Sequence, residues 1–525
     1  MIGVGHSLHT LLTMRASLPA SGVKGLLRYA RPHAPSAFTP VVLSEMKGRR
    51  IAIDATLLTQ RFFYRSGASD ASVLVAFYNT LMQLRDAGVY PILVFDNTTA
   101  RLALKEYEQL KRRASRSLIQ ARMELEEARL ARIDKLLALH AQAMLLPHDT
   151  RATICALLDQ WDSMQHAERN LPLPSPSRRR KKLDQLLQDG YECDMRTDFS
   201  ADDEWLDTST LPSDDSWHLV YQIHALRQEC TASLPADLPV RLSLAQLALA
   251  RTEYAAFEAI VLPERAHAMR RFLDVNYGAS TAQLIELLRT RTREKRESYA
   301  GISRSVNESL YHQAAHMCRL MNVPVFITGD GTEDGGEVHE AEGFASALVL
   351  RGYADIVASE DSDVIMYEVP LLRGLGALDK MELIDARALR EGLFPSESDS
   401  AAHVTASQYR MKQFALICGT DFNRTIPGVG PTRGHALVKE FGDIATLLEK
   451  SDKYAPPEGY TKESYATHLA EALSVFENGP NVDEPAAAIG LQREYGRFPE
   501  HSRRDVRALL LEYGVSPESL PYSLR

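Results

Sequence analysis

The sequence predicts an α/β fold with a mostly parallel sheet, because short apolar runs alternate along the chain with segments of helical periodicity. Three Ile- and Val-rich runs, at residues 50–54, 91–96 and 354–361, have the length and composition of buried parallel strands. Helical patterns at residues 71–87 and 341–351 precede the second and third runs. This alternation predicts helices packed against a sheet whose strands point the same way.

Each of the three runs ends in acidic residues. Asp54 and Asp96 close the first two, and the third ends in Glu360-Asp361-Ser362-Asp363. One such Asp could simply cap the next helix. Several acids at the carboxyl ends of parallel strands share the crevice where these folds bind ligands, and there their like charges repel unless a cation is bound. Carboxylate oxygens favour Mg²⁺ or Mn²⁺, so we expect a divalent-metal site.

Glu340 and Glu342 add a second acidic pair at the start of the helical pattern 341–351. The amino-terminal end of a helix favours negative charge, and acids in a first turn are a common helix signal in themselves. Their proximity to the third strand nevertheless makes them candidates for the same metal site.

The remaining segments are mostly helix-forming. Residues 101–169 and 241–296 have helical patterns, and the stretch between them contains a proline-rich break, the basic run 178–182 and an acidic stretch at 189–215. Beyond residue 396 the chain has an all-helical pattern, in which Gly428-Val429-Gly430 precedes a helix. Glycines before a helix allow its backbone N–H groups to approach a phosphate, although most such turns are merely tight.

Composition narrows the function classes. The chain has 525 residues and a formal net charge of −9, so any contact with nucleic acid must use local basic groups rather than a basic surface overall. The five cysteines show no zinc spacing, which favours reduced thiols in an intracellular protein. No run of 18 apolar residues exists, so we expect no membrane span.

The first 44 residues contain no acid, and residues 1–21 combine basic, hydroxyl and leucine residues. This composition fits a mitochondrial targeting segment, although a disordered tail or a misassigned start codon would fit it too. The basic run 178–182 would fit a nuclear import signal, a phosphate contact or a solvated loop. The expected compartment is therefore the nucleus or the mitochondrial matrix.

Four blocks of the sequence, taken in order along the chain, carry a family pattern. The first comprises Gly22-Val23-Lys24-Gly25-Leu26-Leu27, Ala34-Pro35-Ser36-Ala37 and residues 48–55, and the others are Val94-Phe95-Asp96, the span from Glu340 to Asp363, and Gly419-Thr420-Asp421-Phe422 with Gly428-Val429-Gly430-Pro431. In these blocks the sequence resembles the flap endonuclease (XPG-type) family.

The resemblance implies a nuclease of DNA flaps, branched structures or nicked duplexes, with two Mg²⁺ ions (or Mn²⁺) clamping the scissile phosphate. It assigns catalysis and metal binding to seven carboxylates, those of Asp54, Asp96, Glu340, Glu342, Asp361, Asp363 and Asp421.

Basic residues in the family reach the scissile phosphate from the helix after the second acidic strand, and the matching residues here are Lys105 and Arg112. They are seven positions apart and therefore share a helix face, but a solvated charged face would show the same pattern. The resemblance also implies DNA contacts by Gly22, Gly428, Gly430 and Arg433, as parts of the site and of a helix–two-turn–helix element. It places a K⁺ ion near Thr425 and Ile426.

The expected organisation is a PIN-like nuclease core with a large helical insertion and a helical DNA-binding domain. The expected parts are an extension at 1–21, core halves at 22–113 and 311–395, a helical arch with a partly disordered insertion at 114–310, and the carboxy-terminal domain at 396–525. No sliding-clamp motif is evident, and a monomer is expected. A 5′-to-3′ exonuclease and an inactive interaction scaffold on the same fold remain alternatives. A PIN-type phosphatase or ribonuclease is less favoured, since small PIN domains lack the helix–two-turn–helix element.

Overall fold

The computed structural model describes residues 22–66, 69–100, 102–166, 214–232, 244–275, 278–304, 306–332, 336–378, 380–396, 398, 400–493 and 503–525. The expected targeting segment 1–21, the basic run 178–182 and nearly all of the acidic stretch lie outside these residues. The chain forms two compact units. We call Met1–Gln109 with Ser305–Arg525 the sheet unit, and Leu110–Arg304 the helical unit.

The sheet unit is built on a seven-stranded mixed sheet in the order β1-β7-β6-β5-β2-β3-β4. The strands are β1 (Phe38–Val41), β2 (Arg50–Asp54), β3 (Tyr90–Phe95), β4 (Val325–Ile327), β5 (Ile356–Ala358), β6 (Leu371–Arg373) and β7 (Met381–Ile384). Strands β4, β3, β2, β5 and β6 run parallel to one another, and β7 runs antiparallel to both of its neighbours, β6 and β1. The predicted α/β class with a mostly parallel sheet is confirmed, and the three predicted strands lie side by side at its centre.

The central strands are buried on both faces, because successive side chains enter opposite cores. Ile51 and Ile53 of β2 pack into one core, and Ala52 packs into the other. On β3, Ile92 and Val94 join the core of Ala52, whereas the side chains between them join the opposite one. This double burial explains why the strands are continuous apolar runs rather than alternating ones.

The helices follow the predicted patterns closely. Those before β3 are α1 (Leu26–His33), α2 (Ala55–Ser66) and α3 (Asp70–Asp86). The next six are α4 (Glu106–Ala143), α5 (His148–His166), α6 (Asp214–Ala232), α7 (Leu244–Ala259), α8 (His267–Leu273) and α9 (Thr281–Ser303). The remainder are α10 (Glu308–Leu320), α11 (Ala341–Leu350), α12 (Ala386–Leu393), α13 (Ala401–Cys418), α14 (Pro431–Phe441), α15 (Ile444–Lys450), α16 (Lys462–Glu477), α17 (Asp483–Ala488) and α18 (Arg503–Glu512).

The helical unit has its own apolar core and, within it, a buried ionic network. The Arg129 and Arg132 guanidiniums both bind the carboxylate of Glu253, and Arg129 also pairs with Glu126. Gln246 donates to Glu126 at 2.9 Å. Two positive and two negative charges therefore compensate one another, as buried charges must.

The sequence predicts reduced cysteines and no membrane span. Cys155, Cys230, Cys318 and Cys418 are buried and form no disulfide among the described residues, and Cys193 lies outside those residues. None of the described helices is long and apolar enough to cross a bilayer.

The carboxy-terminal segment returns to the sheet and completes the core next to α3 and α10. Leu509 and Leu510 of α18 are buried there. The Tyr78 and Ser523 hydroxyls lie 2.9 Å apart, and Tyr513 Oη lies 2.9 Å from His316 Nδ1. The last residues of the chain thus belong structurally to the sheet that carries the strand-end acids.

Replacing Leu510 with Ala should lower the free energy of unfolding by about 2–5 kcal/mol, because it leaves a cavity where the tail meets the core. Denaturant unfolding measures the change. Leu350→Ala is the matched control, since Leu350 is 61% exposed, and it should have little effect. Equal stabilities for the two variants would show that the tail is not part of the core.

Candidate metal centre

The acidic ends of the three central strands meet because β5, β2 and β3 are adjacent and parallel. Asp54 ends β2, and the residue is 2% exposed. It accepts hydrogen bonds from the Leu57 amide and the Ser359 hydroxyl, both at 2.9 Å. These donors fix its orientation at the sheet edge.

Asp96 follows β3 and links that strand to the start of α11, where Glu340 and Glu342 lie. Its Oδ1 accepts the amide of Ala341 at 2.7 Å, so a carboxylate from β3 satisfies one of the free N–H groups at the start of α11. Glu340 precedes this helix and Glu342 is buried in its first turn. This hydrogen bond joins residues 245 positions apart in the sequence, and the helix dipole favours the negative charge of the acids around it.

The Asp361-Ser362-Asp363 turn follows β5 and is buried. Asp361 Oδ1 accepts the Asp363 amide at 2.8 Å, which caps a short 3₁₀ turn. Gly22 lies directly against it: a Cβ on Gly22 would stand 2.1 Å from Asp361 Oδ1 and 2.7 Å from the Asp363 nitrogen. Gly22 also has a φ of +84°. Only glycine fits this approach, which gives a steric reason for a glycine at position 22.

Asp421 follows α13, and a tight turn directs it towards the other acids. Gly419 adopts a φ of +103°, and the Asn423 side chain accepts hydrogen bonds from the backbone and hydroxyl of Thr420. Gly419 O accepts the Lys24 amide at 2.9 Å. The turn before Asp421 is thereby fastened to the same amino-terminal segment that contacts Asp361.

The carboxylates perturb one another, which shows how closely they converge. Burial, followed by the charge of Asp96, raises the pKa of Asp54 to about 8, and burial and Glu340 raise that of Asp96 to about 6. Burial and Glu340 likewise raise the pKa of Glu342 well above its usual range. For Asp363, burial comes first and is followed by Asp361 and Asp421. The structure thus brings all seven predicted acids into one electrostatically linked group.

Lys105 inserts a positive charge into this group. Its ammonium contacts Glu340 and lies 3.6 Å from Asp421 Oδ2. Burial alone would lower the pKa of Lys105, but Glu340, Glu342 and Asp421 raise it well above its usual value. The residue that the sequence assigned to a phosphate contact therefore also serves as a counter-charge to the acids.

The donor set fits a hard divalent cation. Glu340 Oε2 and Asp363 Oδ1 are buried and accept no hydrogen bond from the described residues, so both oxygens are available to a ligand. As placed, no three Asp, Glu, His or Cys side chains of the described residues surround one point closely enough to hold an ion without moving. The contacts of Lys105 with Glu340 and Asp421 give a physical reason, since an ammonium draws carboxylates towards itself.

The predicted DNA-contacting residues lie in different settings. Gly428 has a φ of +77°, and Gly430 precedes α14, so both form the tight turn that the sequence predicts. The Arg433 guanidinium donates to Gly428 O at 2.7 Å, which braces that turn. Arg112 is on α4 in the helical unit, so its approach to the acids remains a prediction.

Three neutral residues of the site carried no sequence signal. Thr56 Oγ1 accepts the Asp96 amide at 2.7 Å, and Ser359 links Asp54 to the Asp361 amide. The buried phenol of Tyr367 has a pKa well above its usual value because of burial and of the nearby Glu342, Glu340 and Asp363. A hydroxyl residue beside a strand-end acid is too common a pattern to have indicated Thr56 or Ser359, and nothing in the sequence indicated Tyr367.

Comparison with known proteins relates this site to one family. Residues 21–119 match the XPG N-terminal domain. The chain is 26% identical over 201 residues to Flap endonuclease 1 of Methanococcoides burtonii, which is 38% of this chain and 54% of that protein. It is 29% identical over 197 residues to Flap endonuclease 1 of Methanothermobacter thermautotrophicus, or 36% and 54% of the two chains. The matches thus span about half of these relatives, and the expected resemblance is confirmed.

A solved structure of the catalytic core of Rad2 in complex with DNA substrate also aligns with the chain. The alignment covers 95% of this chain and 97% of that one, with 12% identity and a TM-score of 0.40.

The raised carboxyl pKa values predict how stability depends on pH. Without metal, the free energy of unfolding should fall from about pH 4 to about pH 8, because Asp54 and Asp96 keep their protons in the folded protein after the unfolded chain has lost them. Denaturant unfolding in EDTA at several pH values measures this. Asp54→Asn should flatten the dependence, and identical slopes for the two proteins would contradict the assignment.

Proposed function

We propose that this relative of the XPG-type flap endonucleases is a metal-dependent nuclease that cuts DNA at 5′ flaps or other branched structures. The observation that supports this most strongly is the convergence of seven carboxylates and one lysine at the carboxyl ends of β2, β3 and β5. A site with this much negative charge suits a pair of divalent cations and the phosphate that they bind.

The residues proposed to bind the metal ions, directly or through water, are Glu340, Glu342, Asp361, Asp363 and Asp421. Asp54 and Asp96 are proposed to complete the shell. Two bound Mg²⁺ ions, with Mn²⁺ as an alternative, would supply Lewis acidity for the attacking water and the leaving oxygen. The chain itself contributes orientation. Ser359 holds Asp54, the α11 amide holds Asp96, and the 3₁₀ turn holds Asp361.

Lys105 is proposed to bind the scissile phosphate. Its ammonium already lies at the acids, and a phosphate brought there would offer it an oxygen pair in place of the carboxylates. By stabilising the negative charge that develops on the phosphate in the transition state, Lys105 would accelerate cleavage more than it strengthens DNA binding. Arg112 is proposed to contribute a second phosphate contact.

Duplex DNA is proposed to contact the turn before α14. The Gly428 and Gly430 positions leave open space where a side chain would be, which suits close approach of a phosphate to backbone N–H groups. A Cβ on Gly25 would meet Pro431 at 3.0 Å, so the amino-terminal segment that touches Asp361 also packs on α14. This contact supports a shared framework for the acids and the proposed duplex contact, and K⁺ is proposed to bind near Thr425 and Ile426.

Asp361→Ala should abolish cleavage of a labelled 5′-flap substrate in Mg²⁺ while leaving DNA binding largely intact. Asp361→Asn is the companion variant, since it keeps the oxygen that accepts the Asp363 amide and removes only the charge. Asp86→Ala is the control, because Asp86 is exposed at the end of α3. Cleavage by either Asp361 variant at the wild-type rate would refute the site. Nicked-duplex and bubble substrates separate the exonuclease and scaffold alternatives.

Lys105→Ala should slow single-turnover cleavage by roughly 10²- to 10³-fold, the usual loss when a preorganised electrostatic contact to a transition state is removed. The dissociation constant for DNA should change much less. Lys462→Ala, at an exposed position, is the matched control. An unchanged cleavage rate would show that Lys105 only neutralises the acids.

A further inference from the structure

We propose that Arg424 and Tyr107 are positioning residues that hold Lys105 in the acidic centre. The inference rests on the proposed nuclease function for its kinetic consequence, but its structural content can be measured separately. Lys105 immediately precedes α4 and Tyr107 is in its first turn, and both contact the segment 421–424.

The first contact joins Tyr107 to Arg424. The guanidinium carbon of Arg424 lies 4.0 Å from the centre of the Tyr107 ring, which is the geometry of a cation–π pair. Tyr107 is 36% exposed, so its ring is not held by burial in a core. The stacking on Arg424 is therefore a principal restraint on this side chain.

Arg424 is itself immobilised from the opposite side. Its Nη1 donates to Glu458 O at 3.0 Å, and its guanidinium lies 5.9 Å from the ring centre of Tyr460. Its backbone carbonyl accepts the hydroxyl of the buried Tyr465 at 2.6 Å. Contacts with Glu458, Tyr460 and Tyr465 thus hold Arg424 in place. Its guanidinium is thereby kept in position to stack on the Tyr107 ring.

The second contact is that of Lys105. Its ammonium lies 3.6 Å from Asp421 Oδ2 and 5.0 Å from the ring centre of Phe422. The 3₁₀ turn Ala103–Lys105 that carries it contains no fully buried residue. Leu104 of this turn is only partly buried against the core, so contacts at the ends of the turn help it to keep one geometry. The Tyr107–Arg424 pair provides such a contact immediately after Lys105.

The kinetic test is a double-mutant cycle in single-turnover cleavage of a 5′-flap substrate. Tyr107→Ala and Arg424→Ala should each slow cleavage by roughly 2- to 30-fold, the range that corresponds to loss of one cation–π contact. Neither should slow it further in a Lys105→Ala background, because both act through Lys105. Tyr107→Phe should cleave at the wild-type rate, since it keeps the ring.

Two exposed positions provide matched controls. Tyr522 is 92% exposed and Arg387 is exposed on α12, so Tyr522→Ala and Arg387→Ala should leave cleavage unchanged. A loss on Tyr107→Ala that persists in full with Lys105→Ala would overturn the proposal. It would instead indicate that Tyr107 contacts the DNA itself, for example by stacking on a base.

A second measurement needs neither DNA nor metal. The folded full-length protein is acetylated at its amines and then digested. Mass spectrometry of the peptides reports how accessible Lys105 is. It should be protected in the wild type and should react several-fold faster in Tyr107→Ala and Arg424→Ala, while the exposed Lys462 reacts equally in all three. Equal reactivity of Lys105 in all three proteins would refute the proposal. A wild type that cuts no DNA would refute the proposed function alone, leaving this result to decide the inference.

Discussion

Repulsion among buried carboxylates is the constraint on which the rest of this structure depends. Four of the seven acids have raised pKa values, and for each of them burial is the first cause and another acid the second. A fold tolerates such a group only if protons or cations neutralise part of its charge. Lys105 supplies one positive charge, which leaves a strong preference for further cations at the same place.

The framework around the acids is adapted to keeping them together. Parallel strands β5, β2 and β3 bring three acidic ends to one edge, and Asp96 fastens the Glu pair through the first turn of α11. The segment that begins at Gly22 touches the Asp361 turn, and Lys24 binds the turn before Asp421. The amino-terminal segment and several internal segments therefore stabilise one small volume, which is characteristic of a preorganised site.

Much of this arrangement could be predicted from the sequence, because charge and periodicity are local signals. Asp54 and Asp96 follow apolar runs of strand length, and the strand-end rule then places them together. The contacts of Lys105 with Glu340 and Asp421 could not be predicted, because they depend on the rotamer of a flexible side chain and on segments more than 200 residues apart. Thr56 and Ser359 were missed for another reason: a hydroxyl near an acid has no pattern of its own until the hydrogen bonds are seen.

The most direct test of the central claim is to count the ions. Electron paramagnetic resonance of Mn²⁺ titrated into the purified protein should show two bound ions per chain, close enough for their spins to couple. Asp363→Asn, which removes a buried charge and an oxygen without a hydrogen bond, should abolish the coupled signal. Uncoupled, weakly bound Mn²⁺ in the wild-type protein, unchanged by this substitution, would contradict the account.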